Sequence, residues 1–268
     1  MADPSIAIAR LTIANGLRQP ITWLCTTLAL ILLGLSVLFG MFNFVEEDRM
    51  RLLLTAGVAI SVFNGLFLGV VGASSAVHDE LASRTALTLF AKPMGRGSFL
   101  FGKALGCWAV AATSCAILAI VHLMAVAFVN EFGFDFIERR PGAHQHQGQV
   151  VQWVPYGRLI AGHVLALANT AVMTAVASAL ALRLPLAANV IACFAIFVLA
   201  HLLAGTGMAT TLAGALPALA LFNIDESLQF QDLKLNGAYF MLCLGYAALY
   251  SLGSLLIGLA LFKRQDIP

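Results

Sequence analysis

Charge is what this chain has least of. Only 10% of its residues are Asp, Glu, Lys or Arg, against roughly 25% in an ordinary soluble domain. A water-facing globule of 268 residues needs a charged surface that is missing here, so a conventional soluble enzyme or binding domain is excluded. The net charge of +2 is too small to argue for nucleic acid. Cysteine is sparse too: Cys25, Cys107, Cys115, Cys193 and Cys243 all fall inside apolar stretches, with neither paired nor metal-ligand spacing. They read as small core hydrophobes, not as a disulfide framework. No His-Glu-x-x-His motif and no Ser/His/Asp or Cys/His spacing supports hydrolytic chemistry. A cleavable signal peptide is not expected, because the apolar run from Pro20 to Val45 is too long for a signal core.

What fills the chain instead is six long apolar runs, drawn at 20–45, 52–77, 104–129, 159–182, 184–206 and 237–262. A bilayer core about 30 Å thick needs about 20 apolar residues of helix, and lipid cannot satisfy exposed peptide groups. The expected fold is therefore an all-α membrane protein: one domain over 1–268 with six transmembrane helices. Ahead of them, Ser5 to Arg18 reads as an interfacial helix. Ile6, Ile13 and Leu17 share one face, Thr12, Asn15 and Gln19 lie opposite, and Arg10 snorkels beside the apolar stripe.

Leu184 to Phe222 carries no charge for 39 residues, nearly 60 Å as one helix. Gly205, Gly207, Gly214 and Pro217 predict that the fifth span ends near Gly205. The remainder becomes a short re-entrant or interfacial helix ending at Phe222-Asn223. With six spans both termini share a face, which then holds Arg10, Arg18, Arg84, Lys92, Arg96, Lys103, Arg183, Lys263 and Arg264. The other face holds Arg49, Arg51, Arg139, Arg140, Arg158 and Lys234. Nine against six predicts cytoplasmic termini. Splitting the fifth run would move Lys263 and Arg264 across and reverse that preference. The external loop 130–157 contains His144-Gln145-His146, which reads as a solvated loop in preference to a metal site.

One charged cassette, His78 to Lys103, separates the second and third runs. Asp79 and Glu80 suit a helix N-terminus, Leu81, Thr85, Thr88 and Leu89 recur at helical spacing, and Pro93 stops the helix after Lys92. A short helix over 79–91 is predicted across the cytoplasmic mouth of the bundle, longer than a plain connection requires. Gly97 to Lys103 nearly spells a phosphate loop. Ala104 follows where a magnesium-binding hydroxyl is needed, and no strand precedes, so no nucleotide site is expected in this chain.

Glu80, Thr85, the Leu-Thr-Leu-Phe-Ala-Lys-Pro run at 87–93, Arg96 and Gly102-Lys103 resemble the first cytoplasmic loop of the type-2 ABC transporter permeases. The N-terminal interfacial helix, Pro217 with Phe222-Asn223, and the closing Phe262 to Ile267 are similar to that family's layout. Arg84 stands where the family usually has Gly, and Gly95 where Ser is common. The resemblance implies a bacterial inner-membrane permease, dimeric with a second copy of itself and driven by a separate cytoplasmic ATPase that holds the ATP and magnesium. The loop helix would be a coupling helix, with Glu80, Arg84, Thr85, Leu89, Pro93 and Arg96 touching that ATPase. No cofactor is implied in this chain.

Inside the spans, His163 and His201, with His122, are candidates for a pathway or a metal, since buried ionisable groups are costly in lipid. Asn64, Asn169 and Asn189 read as interhelical hydrogen bonders, with Asn64 and Asn169 also candidates for a substrate pathway. The six predicted spans contain no Asp or Glu, which argues against an ion-gradient transporter. A scaffold that anchors a cytoplasmic partner is the remaining alternative. Few polar groups line the runs, which favours an amphiphile or a mechanical role over a sugar or ion.

Overall fold

A computed structural model describes residues 4–43, 46–82, 95–133, 154–204, 216–230, 233 and 235–263. Helix α1 spans Pro4–Arg18, α2 Pro20–Asn43, α3 Glu46–Ala82, α4 Arg96–Phe132, α5 Tyr156–Leu180 and α6 Leu186–Ala204. A 3-10 turn at Leu219–Phe222, a five-residue helix α7 at Asp225–Gln229 and a long α8 at Gly237–Lys263 follow. Helices α2 to α6 and α8 are long and apolar enough to cross a membrane, and the protein is an all-α, multi-pass membrane protein.

Contacts fix the direction of every span. Val58, Gly65 and Gly69 of α3 meet Gly162, Thr170 and Thr174 of α5, so these two helices run parallel. Gly258 of α8 meets Ala179 of α5, and Arg183 reaches the Leu261 carbonyl, so α8 runs with them. Helix α4 opposes α3: Leu53 lies against His122, Ser61 against Cys115 and Asn64 against Ser114. Helix α6 also opposes α3, with Phe67 against Phe194 and Phe63 against Phe197. Alternating direction over six helices returns the chain to the face it started from, in agreement with the parity expected of six spans.

Glycine is used here for proximity. A methyl group at Gly65 or Gly69 would collide with the Thr170 or Thr174 hydroxyl, so the Gly65-x-x-x-Gly69 pair seats α5 on α3 within one chain. Gly102-x-x-x-Gly106 does the same for α1 on α4: Ser5 and Ile8 lie over Gly102, and Ala9 and Thr12 lie over Gly106. This corrects the expected face of α1. Ile8, Ala9 and Thr12 are the buried side, and Ile6, expected in the apolar stripe, is exposed. Thr12 can enter because its hydroxyl donates to its own helix at the Ile8 carbonyl. Pro20 starts α2, and the Thr22 hydroxyl and Trp23 indole cap carbonyls of α1 at Gly16 and Leu17.

The cassette side also departs from expectation. Helices α3 and α4 have 37 residues each, about 55 Å at 1.5 Å per residue, against a bilayer core of about 30 Å. Asp79 and Glu80 do not open a new helix; they lie in the last turn of α3. Negative charge at a helix C-terminus opposes the macrodipole, and Glu80 is offset by an ion pair with Lys103 of α4. The remainder of the expected coupling helix lies outside the described residues, as do most of the external loop with His144 and His146, and the last five residues.

On the opposite face, residues 216–230 pack onto the bundle. Of the short helix expected between Gly205 and Phe222, residues 205–215 lie outside the described residues, and the rest contains a 3-10 turn with Leu219 and Phe222 buried. Tyr246 accepts from the Ala218 amide at 2.7 Å, and Tyr239 donates to the Leu221 carbonyl at 2.6 Å. Arg158, at the start of α5, donates to the Ser227, Phe230 and Leu233 carbonyls at 2.6, 3.1 and 2.7 Å, closing off the end of α7.

Replacing Gly102 or Gly106 by Ala should cost about 1–3 kcal/mol by overpacking against α1. Gly34→Ala, where a methyl meets nothing within 4 Å, should gain up to about 1 kcal/mol from helix propensity. Reversible unfolding in mixed micelles reads the opposite signs.

Candidate functional site

Three places in the bundle hold the polar groups that lipid would not tolerate alone. The first is the arm formed by the cassette ends of α3 and α4. Lys103 is 7% exposed, and Glu80 reaches it across the two helices. Asp79, Asn15, Gln19 and Ser75 share a pocket with this pair, where α1 turns into α2. Of the residues expected to touch an ATPase, Glu80 faces Lys103 and Arg96 opens α4, at the tip of the same arm. Arg84, Thr85, Leu89 and Pro93 lie outside the described residues.

The second place is a set of polar knots between spans. Asn64 donates from Nδ2 to Ser114 Oγ at 2.7 Å, and Ser114 lies 2.7 Å from Thr26 Oγ1. Thr26 donates onward to the Thr22 carbonyl at 2.7 Å. The proton order is thereby fixed: Ser114 donates to Thr26, and α2, α3 and α4 are tied by one chain of bonds. Asn189 donates to Ser74 at 2.8 Å and to the Ala177 carbonyl at 3.0 Å, tying α6 to α3 and α5. Asn64 is therefore interhelical glue, and Asn189 matches the same expectation.

His163 is part of a third knot, together with His122, another of the three candidate histidines. His122 Nε2 lies 3.0 Å from the Leu53 carbonyl, and its Nδ1 lies 3.0 Å from His163 Nε2. A carbonyl only accepts, so His122 carries its proton on Nε2, and in the neutral pair its Nδ1 accepts from His163 Nε2. His163 Nδ1 is left as an acceptor with no partner among the described residues. Gly57 makes room for the His122 ring, since any side chain there would overlap it. The two histidines come together, and His201 sits elsewhere. Among the described residues, no group of three or more potential ligands is placed to hold a metal.

The third place is a cavity of about 430 Å³ between α3, α5, α6 and the 3-10 turn. It brings together Asn169 and His201, two of the expected pathway residues, with Asn223 and Asp225, which the pathway set did not include. Asn169 is 4% exposed, and its Oδ1 has no hydrogen-bond partner among the described residues. His201 places Nδ1 2.9 Å from the Phe197 carbonyl of its own helix. Asn223 Oδ1 accepts from the Asp225 amide at 2.8 Å, the turn that starts α7. Burial raises the Asp225 carboxyl above its ordinary value, and a side-chain hydrogen bond with Asn223 pulls it partly back. The walls are apolar, from residues such as Val58, Phe63, Phe197 and Phe222. Size and lining match a small-molecule site: mostly apolar, with a few convergent polar groups.

Comparison of the sequence with protein-family models and with curated proteins finds no match.

The arm is testable on its own. Glu80→Gln leaves Lys103 buried without its carboxylate and should cost about 1–3 kcal/mol. The exchange Glu80→Lys with Lys103→Glu should recover more than half of what either single reversal loses. An additive result in unfolding experiments would show that the two residues do not act as a pair.

Proposed function

We propose that this chain is the membrane-spanning permease subunit of an ATP-driven transporter of the type-2 ABC class. It receives its stroke from a separate cytoplasmic ATPase. In this reading the protein lies in a bacterial inner membrane with both termini in the cytoplasm, and works as a homodimer. ATP and magnesium belong to the partner.

The observation that carries the reading is the arm. Helices α3 and α4 run beyond the length a bilayer needs, as an antiparallel pair braced by Glu80 and Lys103. Their cassette ends lie on the same face as the start of α1 and the end of α8, with Ser5 over Gly102 and Leu259 beside Gly97. A membrane protein gains nothing from such an extension when two to eight residues join neighbouring spans. A lever pushed from outside the bilayer needs it, because packed helices transmit a displacement at one end to the other. We assign Arg84, Thr85, Leu89, Pro93 and Arg96 to contact with the ATPase. Glu80 takes the bracing role that its partner Lys103 dictates. Helix α1, wedged along the first turns of α4, stiffens the same arm.

The test replaces residues 83–94 with a Gly/Ser segment of equal length. The protein is co-expressed with the P-loop ATPase encoded by a neighbouring reading frame. The expected result is loss of co-purification and of stimulated ATP hydrolysis, with membrane insertion unchanged. Retained binding and stimulation would overturn the proposal.

A further inference from the structure

With Ile8, Ala9 and Thr12 turned onto α4, the other side of α1 faces away from the bundle. At about 100° per residue, Ile6, Ala7, Arg10, Leu11, Ala14 and Arg18 fall within one arc of about 140° on that side, and all six are exposed. Leu11 is 59% exposed and Ile6 48%. Every residue on the arc is apolar or an arginine. Helix α1 contains no Asp or Glu. Its other polar residues lie off the arc: Ser5 and Thr12 over α4, and Asn15 in the pocket with Glu80 and Lys103. A face turned to water ordinarily mixes charges of both signs with neutral polar groups. This one carries positive charge alone, set among exposed apolar side chains. Neither Arg10 nor Arg18 has a carboxylate partner among the described residues.

The position of α1 says what this face meets. Ser5 lies over Gly102 and Gly16 over Val110, so the helix follows α4 toward the bilayer. Arg18 ends it two residues before Pro20, where the apolar α2 begins to span. Trp23 is 50% exposed and donates its indole N–H to the Leu17 carbonyl at 2.8 Å. Tryptophan in that setting marks the boundary between hydrocarbon and headgroups. From this we infer that the outer face of α1 is a docking surface for anionic phospholipids of the adjoining leaflet. Arg10 and Arg18 take the phosphates, and Ile6 and Leu11 enter the acyl boundary beside them. A guanidinium holds a phosphate through two parallel N–H donors. A zwitterionic headgroup brings its own cation, which offsets that gain, whereas a headgroup of net negative charge keeps it. Each arginine near such a surface is worth about fivefold in binding. Nothing in this depends on the arm or on a coupled ATPase.

The experiment uses the full chain in lipid bilayers, with Trp108→Phe and Trp153→Phe so that Trp23 is the one tryptophan left. Its quenching is read in mixtures in which either the phosphatidylglycerol or the phosphatidylcholine carries dibrominated acyl chains. The two series give the relative affinity of the lipids beside α1. The expected result is a preference for phosphatidylglycerol of about fivefold or more, weakened in high salt. Arg10→Gln combined with Arg18→Gln should abolish the preference. Arg183→Gln, which removes an exposed charge between α5 and α6 at the same end of the bundle, should leave it unchanged. Both arginines of α1 are exposed, so their replacement leaves the core intact, and thermal unfolding of each variant checks this. Four results overturn the assignment: no quenching by either lipid, equal affinity for the two, a preference that survives the double replacement, and a loss in Arg183→Gln as large as in the double variant. None of these touches the reading of 83–94, which is scored by ATPase binding alone.

Discussion

The antiparallel pairing of α3 with α4 is the interaction on which the rest of the molecule leans. It runs from the Leu53 carbonyl and His122 near one end, through Ser61 with Cys115 and Asn64 with Ser114, to Glu80 and Lys103 at the other. Helices α1, α2, α5 and α6 dock on this pair, while α8 and the 3-10 turn pack chiefly on α5 and on α5 and α6. Helix α5 seats on the glycine stripe of α3, α1 seats on the glycine pair of α4, and α2 joins through Thr26. Helix α6 enters through Asn189 and Ser74. The hydrophobic effect gives no reason for helices to associate in lipid, so close packing and hydrogen bonds supply it. Small residues along α3 are what permit both at once.

Lipid also sorts the polar residues by whether they are satisfied. Many Thr, Ser and Asn side chains in the spans return to a carbonyl of their own helix or cross to a neighbour, each crossing contributing about 0.6 kcal/mol on average. Thr170, Thr174 and Ser178 turn back onto α5 in succession, which removes their cost and leaves the helix face smooth. Against that background, His163 Nδ1, Asn169 Oδ1 and Ser251 Oγ are buried without a partner among the described residues.

The six spans were legible because an apolar run of membrane length has few alternatives to a helix. Their ends were less so. Charge at Asp79, Glu80 and Lys103 reads as the edge of a span, yet the helices pass through it, because α1 and the ion pair sustain them where lipid does not. The two G-x-x-x-G pairs were visible in the sequence, but their partners on α5 and α1 are a tertiary fact. So is the meeting of His122 with His163, which lie 41 residues apart. Asp225 follows the long uncharged run and would have been found by asking which first charge closes a span's far end. Thr12 misled because a hydroxyl counts as polar in a periodicity pattern, and its bond to the Ile8 carbonyl makes it apolar in effect.

If α3 and α4 are one continuous pair that outreaches the membrane, their backbone amides stay hydrogen-bonded beyond it. Hydrogen exchange of residues 78–82 and 99–103 in nanodiscs measures that directly. The account predicts strong protection of both segments, weakened together when Lys103 is changed to Ala. Exchange in either segment at the rate of an unstructured chain would contradict it.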